Sequence, residues 1–150
     1  KMIEEGPCVY VVNHQSFLDP PLIGQLINPE IYFLARKTLQ CNAVMRFLLT
    51  HLNNIAIDQE RPDPSSILKL LRIVRNGGRV VVFPEGARCW DGQIHDAMPG
   101  IGLIISKLGE GVPIQPMRIE GAYDCLPRGS AKLRFKPITV SIGDPIHFTR

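Results

Sequence analysis

The sequence predicts an α/β fold built on a mostly parallel sheet flanked by helices. Three observations carry that expectation. Short β-rich apolar runs, among them CVYVVN at residues 8–13 and RVVVF at residues 79–83, alternate with longer stretches of helical character. Asp-Pro pairs at Asp19-Pro20 and Asp63-Pro64 mark helix starts, and Gly77-Gly78 marks a stop. The composition, 45% apolar and 21% charged, is that of a globular domain, and 150 residues suffice for one domain with a real core.

The elements follow in order. Residues 8–13 read as a buried strand ending at Asn13-His14. A helix then runs to about Ile27, with Asp19 outside it, because a residue before proline avoids the helical region. IYFLA at residues 31–35 reads as the second strand, residues 43–52 as a helix, and NIAID at residues 54–58 as the third strand. Asp63-Pro64 opens a helix in which Ile67, Leu71 and Val74 follow helical spacing, with Lys69, Arg72 and Arg75 as a basic line. RVVVF is the next strand. Residues 100–108 (GIGLIISKL) are apolar nearly all round and predict a buried helix ended by Gly109. Residues 114–119 and 133–142 are the last strand candidates, with a loop over residues 121–129.

Charge and cysteine usage narrow the function classes. A net charge of +3 is too weak to argue for nucleic acid and suits an anionic substrate or membrane surface. Cys8, Cys41, Cys89 and Cys125 form no CxxC pair, so they read as reduced thiols in a cytosolic setting rather than a zinc site or disulfide scaffold. No apolar run approaches the ~20 residues of a membrane span, and no signal peptide is visible. The chain opens on Lys1-Met2 and ends at Arg150 in strand-like sequence. The expectation is a fragment of a longer chain, holding a single catalytic domain over 1–150, with an upstream anchor left open.

Three segments are candidates for chemistry. In Asn13-His14-Gln15-Ser16-Phe17-Leu18-Asp19, a strand ends at His14 and a helix starts after Asp19. The turn between them can fold the carboxylate onto the imidazole, fixing its tautomer and leaving Nε2 as a base. The plainer alternative is a helix cap at Asp19 and a loop histidine. Phe83-Pro84-Glu85-Gly86-Ala87-Arg88 follows the RVVVF strand, and ligands of open α/β sheets bind beyond the carboxyl ends of strands. Gly86 admits a close backbone approach, and Arg88 offers a planar fork for phosphate. Its alternative is a solvated turn. Arg36-Lys37 ends the IYFLA strand and could hold phosphates, or be merely solvated. There is no G-x-S-x-G elbow and no P-loop.

Taken together, these segments resemble the glycerophospholipid acyltransferases. Asn13-His14 through Asp19 matches that family's NHxxxxD signature, and FPEGAR at residues 83–88 is similar to its FPEG(T/S)R block. FLARKTL at residues 33–39 resembles the basic second block, and VPIQP at residues 112–116, followed by Gly121-Ala122, resembles the V-P-I/V-x-P block. Order and spacing agree over about residues 8–145, and the closest group looks like the 1-acyl-sn-glycerol-3-phosphate acyltransferases. Three positions depart from the pattern. Ala87 replaces Thr or Ser, Gln59 with Arg61 nearby stands where an Arg is usual, and Met98-Pro99-Gly100 replaces Lys-x-Gly.

The resemblance implies a glycerol-3-phosphate acyltransferase-like fold with a mixed, mostly parallel sheet. It implies that His14 deprotonates the sn-2 hydroxyl of a lysophosphatidic acid, which attacks the thioester of acyl-CoA or acyl-ACP. Asp19 would orient His14. Arg88 would grip the acceptor phosphate with Arg36 or Lys37 assisting, in a site lined by Pro84, Glu85, Gly86 and Ala87, with Glu85 on Arg88 or on a glycerol hydroxyl. No metal and no cofactor beyond the acyl-CoA or acyl-ACP co-substrate is implied. The expected setting is the cytoplasmic face of a membrane, peripheral or anchored by a segment outside this sequence, with the basic line facing lipid or simply solvated. The alternatives are another acceptor such as glycerol 3-phosphate or a different lysolipid, a non-catalytic lipid-binding relative, and a hydrolase.

Overall fold

A computed structural model describes residues 1–27, 30–36, 53–57 and 64–148, with Arg36 described by its backbone alone. Within these, β1 (Cys8–Val12), β2 (Ile31–Arg36), β3 (Asn53–Ile57), β4 (Arg79–Val82), β5 (Ile114–Glu120) and β6 (Thr139–Ile142) form one sheet in the order β3-β2-β4-β1-β5-β6. All neighbours are parallel except β5 and β6, which pair antiparallel. The helices are α1 (Asp19–Leu26), α2 (Pro64–Arg75), α3 (Pro99–Leu108) and the short α4 (Ala122–Cys125). The expected mixed α/β architecture is therefore the observed one. The expected helix at residues 43–52, the Asp63 cap, Cys41, Gln59 and Arg61 lie outside the described residues.

The central strands β1 and β4 read as nearly continuous apolar runs because the sheet is covered on both faces there. Cys8, Tyr10 and Val12 of β1 point to one side, where Phe33, Val81, Met117 and Ile119 meet Ile23 and Ile27 from the α1 segment. Val9 points to the other side, with Val80, Val82, Ile55 and Ile114 beneath Leu70, Leu71 and Val74 of α2 and Ile104 and Leu108 of α3. The period-2 alternation within each strand thus feeds two separate cores. At the end of α2, Gly77 at φ 87° donates to the Val74 carbonyl while Gly78 donates to that of Ile73. That is the bond pattern of a Schellman stop, in which glycine takes the left-handed position without a Cβ penalty.

Four expectations need correcting. Asp19 is the first residue of α1, with Leu18 at the cap position and no side-chain cap bond. The Asp19 amide donates to the Ser16 carbonyl, so the turn before the helix runs straight into it. Helix α3 is not buried all round: only Ile104 and Leu108 are buried, and Leu103 is 53% exposed, because the helix packs through one face alone. Strand β6 covers only residues 139–142; the stretch before it is held beside α4, with Arg134 N–H on the Cys125 carbonyl at 2.8 Å. The expected loop at residues 121–129 contains α4.

Candidate active site

Parallel strands β1 and β4 are neighbours, with Val11 opposite Val82. Continuing that register places His14 level with Glu85 just past the carboxyl ends of both strands. Asn13 closes the end of β1 on its other side. Its Nδ2 donates to the Ile119 carbonyl at 2.9 Å, and its Oδ1 accepts from the Ile119 N–H at 2.6 Å. The side-chain amide thus completes the ladder with β5 where the β1 backbone turns away.

The chain then folds back on itself. His14 Nδ1 lies 2.7 Å from Asp19 Oδ2, and the same oxygen accepts from the backbone N–H of Gln15 at 2.6 Å and of Ser16 at 2.7 Å. A carboxylate only accepts, so Nδ1 carries the proton and Nε2 is the basic nitrogen. Among the described residues nothing pairs with Nε2. Asp19 is fully buried, whereas the His14 side chain keeps 17% of its surface exposed. The carboxylate therefore organises the turn and aims the imidazole, and it does not cap α1.

Neighbouring segments lock this turn. Phe83 stacks on His14, with ring centroids 4.1 Å apart and planes 20° apart. The Cys89 N–H donates to the His14 carbonyl at 2.8 Å, Gln15 Nε2 to the Gly92 carbonyl at 3.0 Å, and Ser16 Oγ to the Leu126 carbonyl at 2.9 Å. Gln15 and Ser16 are buried.

The second expected segment meets the first. The His14 N–H donates to Glu85 Oε2 at 3.3 Å, and Glu85 Oε1 is buried with no partner among the described residues. Glu85 thus forms no described ion pair with Arg88. Burial pushes the Glu85 carboxyl above the usual carboxylate range, against the lowering effect of the hydrogen bond from His14. Gly86, at φ 69°, donates to the Phe83 carbonyl at 3.0 Å, and the Pro84 carbonyl accepts from Met98 N–H at 2.8 Å. Ala87 is half-buried beside them. The Arg88 guanidinium sits 3.4 Å from the centre of the Phe17 ring, which ties the two segments together by a cation–π contact. Burial lowers the Arg88 pKa, and the nearby charge of Arg128 lowers it further.

The structure thus brings together His14, Asp19, Pro84, Glu85, Gly86, Ala87 and Arg88. The Arg36 backbone lies at the carboxyl end of β2, beside β4, and Lys37 falls outside the described residues. The sequence reading missed Gln15, Ser16, Phe17, Phe83 and Arg128. The two phenylalanines lie inside the quoted segments, but nothing in spacing announces that one stacks on the imidazole and the other under the guanidinium. Burial pushes the Cys8 thiol up to about 12 and raises that of Cys89 too, so neither supplies a thiolate near neutral pH. Among the described residues no three His, Cys, Asp or Glu side chains gather as metal ligands would.

A family model described as Acyltransferase matches residues 1–120. The chain is 31% identical over 148 residues to the chloroplastic 1-acyl-sn-glycerol-3-phosphate acyltransferase BAT2 of Brassica napus, covering 95% of this chain and 42% of that protein. It is 28% identical over 143 residues to the 1-acyl-sn-glycerol-3-phosphate acyltransferase of Bacillus subtilis, covering 93% of this chain and 66% of that one. The crystal structure of the 1-acyl-sn-glycerophosphate (LPA) acyltransferase PlsC from Thermotoga maritima matches with a TM-score of 0.79 and 27% identity, over 95% of this chain and 56% of that one. The chain thus spans between 42% and 66% of the length of these relatives.

Proposed function

This chain belongs to the acyltransferase family, and from that premise we propose that it moves a fatty acyl group from a thioester donor to the sn-2 hydroxyl of a lysophosphatidic acid. The observation that carries this reading is the 2.7 Å contact between His14 Nδ1 and Asp19 Oδ2, with Nε2 unpaired among the described residues beyond the carboxyl ends of β1 and β4. The printed names of the relatives support the choice of acceptor.

The acceptor hydroxyl gives its proton to His14 Nε2 as its oxygen attacks the thioester carbonyl. The tetrahedral adduct collapses, the C–S bond breaks, and the departing sulfur takes the proton from the imidazolium. Asp19 holds the ring's orientation and stabilises its transient charge. The bound hydroxyl is itself the nucleophile, so no acyl-enzyme forms. A positioned base contributes ~10²–10⁴-fold, and the remainder comes from alignment and charge stabilisation. Arg88 receives the acceptor phosphate, with Arg36 and Lys37 as candidates to assist. Glu85, which receives the His14 N–H, braces the catalytic turn.

Acyl-CoA and acyl-ACP are both donors of the required chemistry. Donor and acceptor are amphipathic, so the reaction takes place at a membrane surface, where the exposed Lys69, Arg72 and Arg75 of α2 can meet anionic head groups. No described helix is long and apolar enough to cross a membrane.

The test is thiol release from palmitoyl-CoA and from palmitoyl-ACP, with and without lysophosphatidic acid, for the parent protein and His14→Ala. Acceptor-dependent release that disappears in the variant is expected, with the diacyl lipid as product. Release of free fatty acid instead would mean a hydrolase. Binding of lysolipid without turnover, across both donors and a panel of acceptors, would mean a lipid-binding relative.

A further inference from the structure

Phe17 stands inside the catalytic turn, between two residues that the turn fixes. On one side is Ser16, with its amide on Asp19 Oδ2 at 2.7 Å and its hydroxyl on the Leu126 carbonyl at 2.9 Å. On the other is Leu18, whose N–H donates to Ser16 Oγ at 3.3 Å. The Phe17 ring carries the Arg88 guanidinium 3.4 Å from its centre. The Arg88 backbone is placed separately, with its carbonyl accepting from Arg128 Nη1 at 3.3 Å and the next amide, of Cys89, donating to the His14 carbonyl at 2.8 Å.

Among the described residues Arg88 forms no ion pair with an acidic side chain. Its guanidinium is held by a ring instead, and the difference matters for an anion site. A carboxylate holds an arginine by its fork and occupies the N–H donors that a phosphate needs. An aromatic ring holds the face of the cation and leaves the donors, which lie in the plane of the guanidinium, free. A long side chain ordered in this way also gives up less freedom when the anion arrives.

We infer that Phe17 is a positioning residue that holds the Arg88 guanidinium by its face and presents its edge to the acceptor phosphate. The inference rests on the acyl-transfer reading above, with Arg88 as the partner of the phosphate, and adds to it a residue and a coupling. The turn that aims His14 Nε2 through Asp19 also sets, through Phe17, where the phosphate anchor lies. The base and the anchor thereby share one short support.

The experiment is steady-state kinetics with lysophosphatidic acid and whichever of palmitoyl-CoA and palmitoyl-ACP the parent protein uses. The variants are Phe17→Leu, Phe17→Tyr, Arg88→Gln and the double variant Phe17→Leu/Arg88→Gln. Leucine keeps apolar bulk without a ring face, and tyrosine keeps the face. Phe17→Leu should raise the acceptor KM about fivefold, with kcat, the donor KM and the pH profile close to parent values. Phe17→Tyr should restore the acceptor KM. In the Arg88→Gln background Phe17→Leu should add nothing, because the ring then has no cation to hold. If Phe17→Leu instead lowers kcat at an unchanged acceptor KM, raises the donor KM equally, or acts as strongly without Arg88, then Phe17 only packs the turn and the inference is wrong. Phe17→Met takes the place of Phe17→Leu if the leucine variant loses its cooperative melting transition. If Arg88→Gln keeps the parent's acceptor KM in an active enzyme, Arg88 is not the phosphate anchor, and the inference falls while acyl transfer stands. If the parent protein acylates no lysolipid from either donor, the acyl-transfer reading itself falls and takes the inference with it.

Discussion

Phe83 lies flat against His14, with ring centroids 4.1 Å apart and planes 20° apart, so the first residue after β4 forms one wall of the imidazole's slot. Asp19 fixes one ring nitrogen, and Phe83 fixes the plane in which the ring can lie. The two restraints are independent, one polar and one apolar, and they come from segments 64 residues apart.

Replacing Phe83 therefore tests positioning without touching any proton donor or acceptor. Stacked aromatic pairs contribute about 0.5–1.5 kcal/mol beyond their area, so Phe83→Leu should lower kcat by up to about tenfold. The pH profile should keep its shape, because the base is unchanged. Steady-state kinetics across pH on the folded variant check both halves of the statement.

Asp19 offers a sharper separation of roles. In Asp19→Asn the side-chain oxygen can still accept from the Gln15 and Ser16 amides, but the tautomer preference of His14 is lost, so activity should fall by about 10²–10⁴-fold with modest loss of stability. In Asp19→Ala both buried amides lose their acceptor, and each unsatisfied group costs about 1–3 kcal/mol. Denaturant unfolding should place the alanine variant well below the asparagine variant.

Glu85 predicts a pH dependence of stability. Its carboxyl is raised above its ordinary value in the folded protein, mainly by burial. Between the unfolded and folded values the native state binds more protons than the unfolded chain, so this group's contribution to stability falls as pH rises through that window. Glu85→Gln cannot ionise, and its melting temperature should decline less than that of the parent protein between pH 4.5 and neutrality. The variant keeps an acceptor for the His14 N–H, so its catalytic turn should remain in place. Melting curves over that pH range decide it.

Asn13→Leu removes both partners of Ile119, a donor and an acceptor in a buried setting. The loss should be about 2–4 kcal/mol, because two backbone groups are left unpaired. Gly121→Ala should be comparably damaging for another reason. Gly121 has φ 86°, and a Cβ there would lie 2.3 Å from the Pro137 carbonyl oxygen. Both variants can be ranked by urea unfolding against the parent protein.

The central strands β1 and β4 were legible in the sequence because they are buried on both faces and so appear as unbroken apolar runs. His14 and Asp19 were legible as a pair because the turn joining them is local. What was not legible depended on partners far along the chain. Asn13 reads as part of a motif until β5, 106 residues later, shows that its amide extends the sheet. The exposure of Leu103 could not be read from GIGLIISKL, since composition does not say which faces of a helix find a partner. Residues 133–142 read as one strand candidate, and the backbone bond from Arg134 to Cys125 draws the first part of that stretch beside α4 instead. Arg128 carries no pattern at all, and only the turn at Pro127 and the tether from Ser16 bring it to the Arg88 carbonyl.

The adjacency of β1 and β4 has a consequence for how such a chain can diversify. Everything from Val12 to Arg79 is an excursion that leaves one strand and returns to its neighbour. The sheet register, and not the length of that excursion, sets His14 level with Glu85. Insertions between the elements that follow α1 therefore change what surrounds the cleft while the reacting groups keep their spacing. New recognition surfaces can be tried there without rebuilding the base.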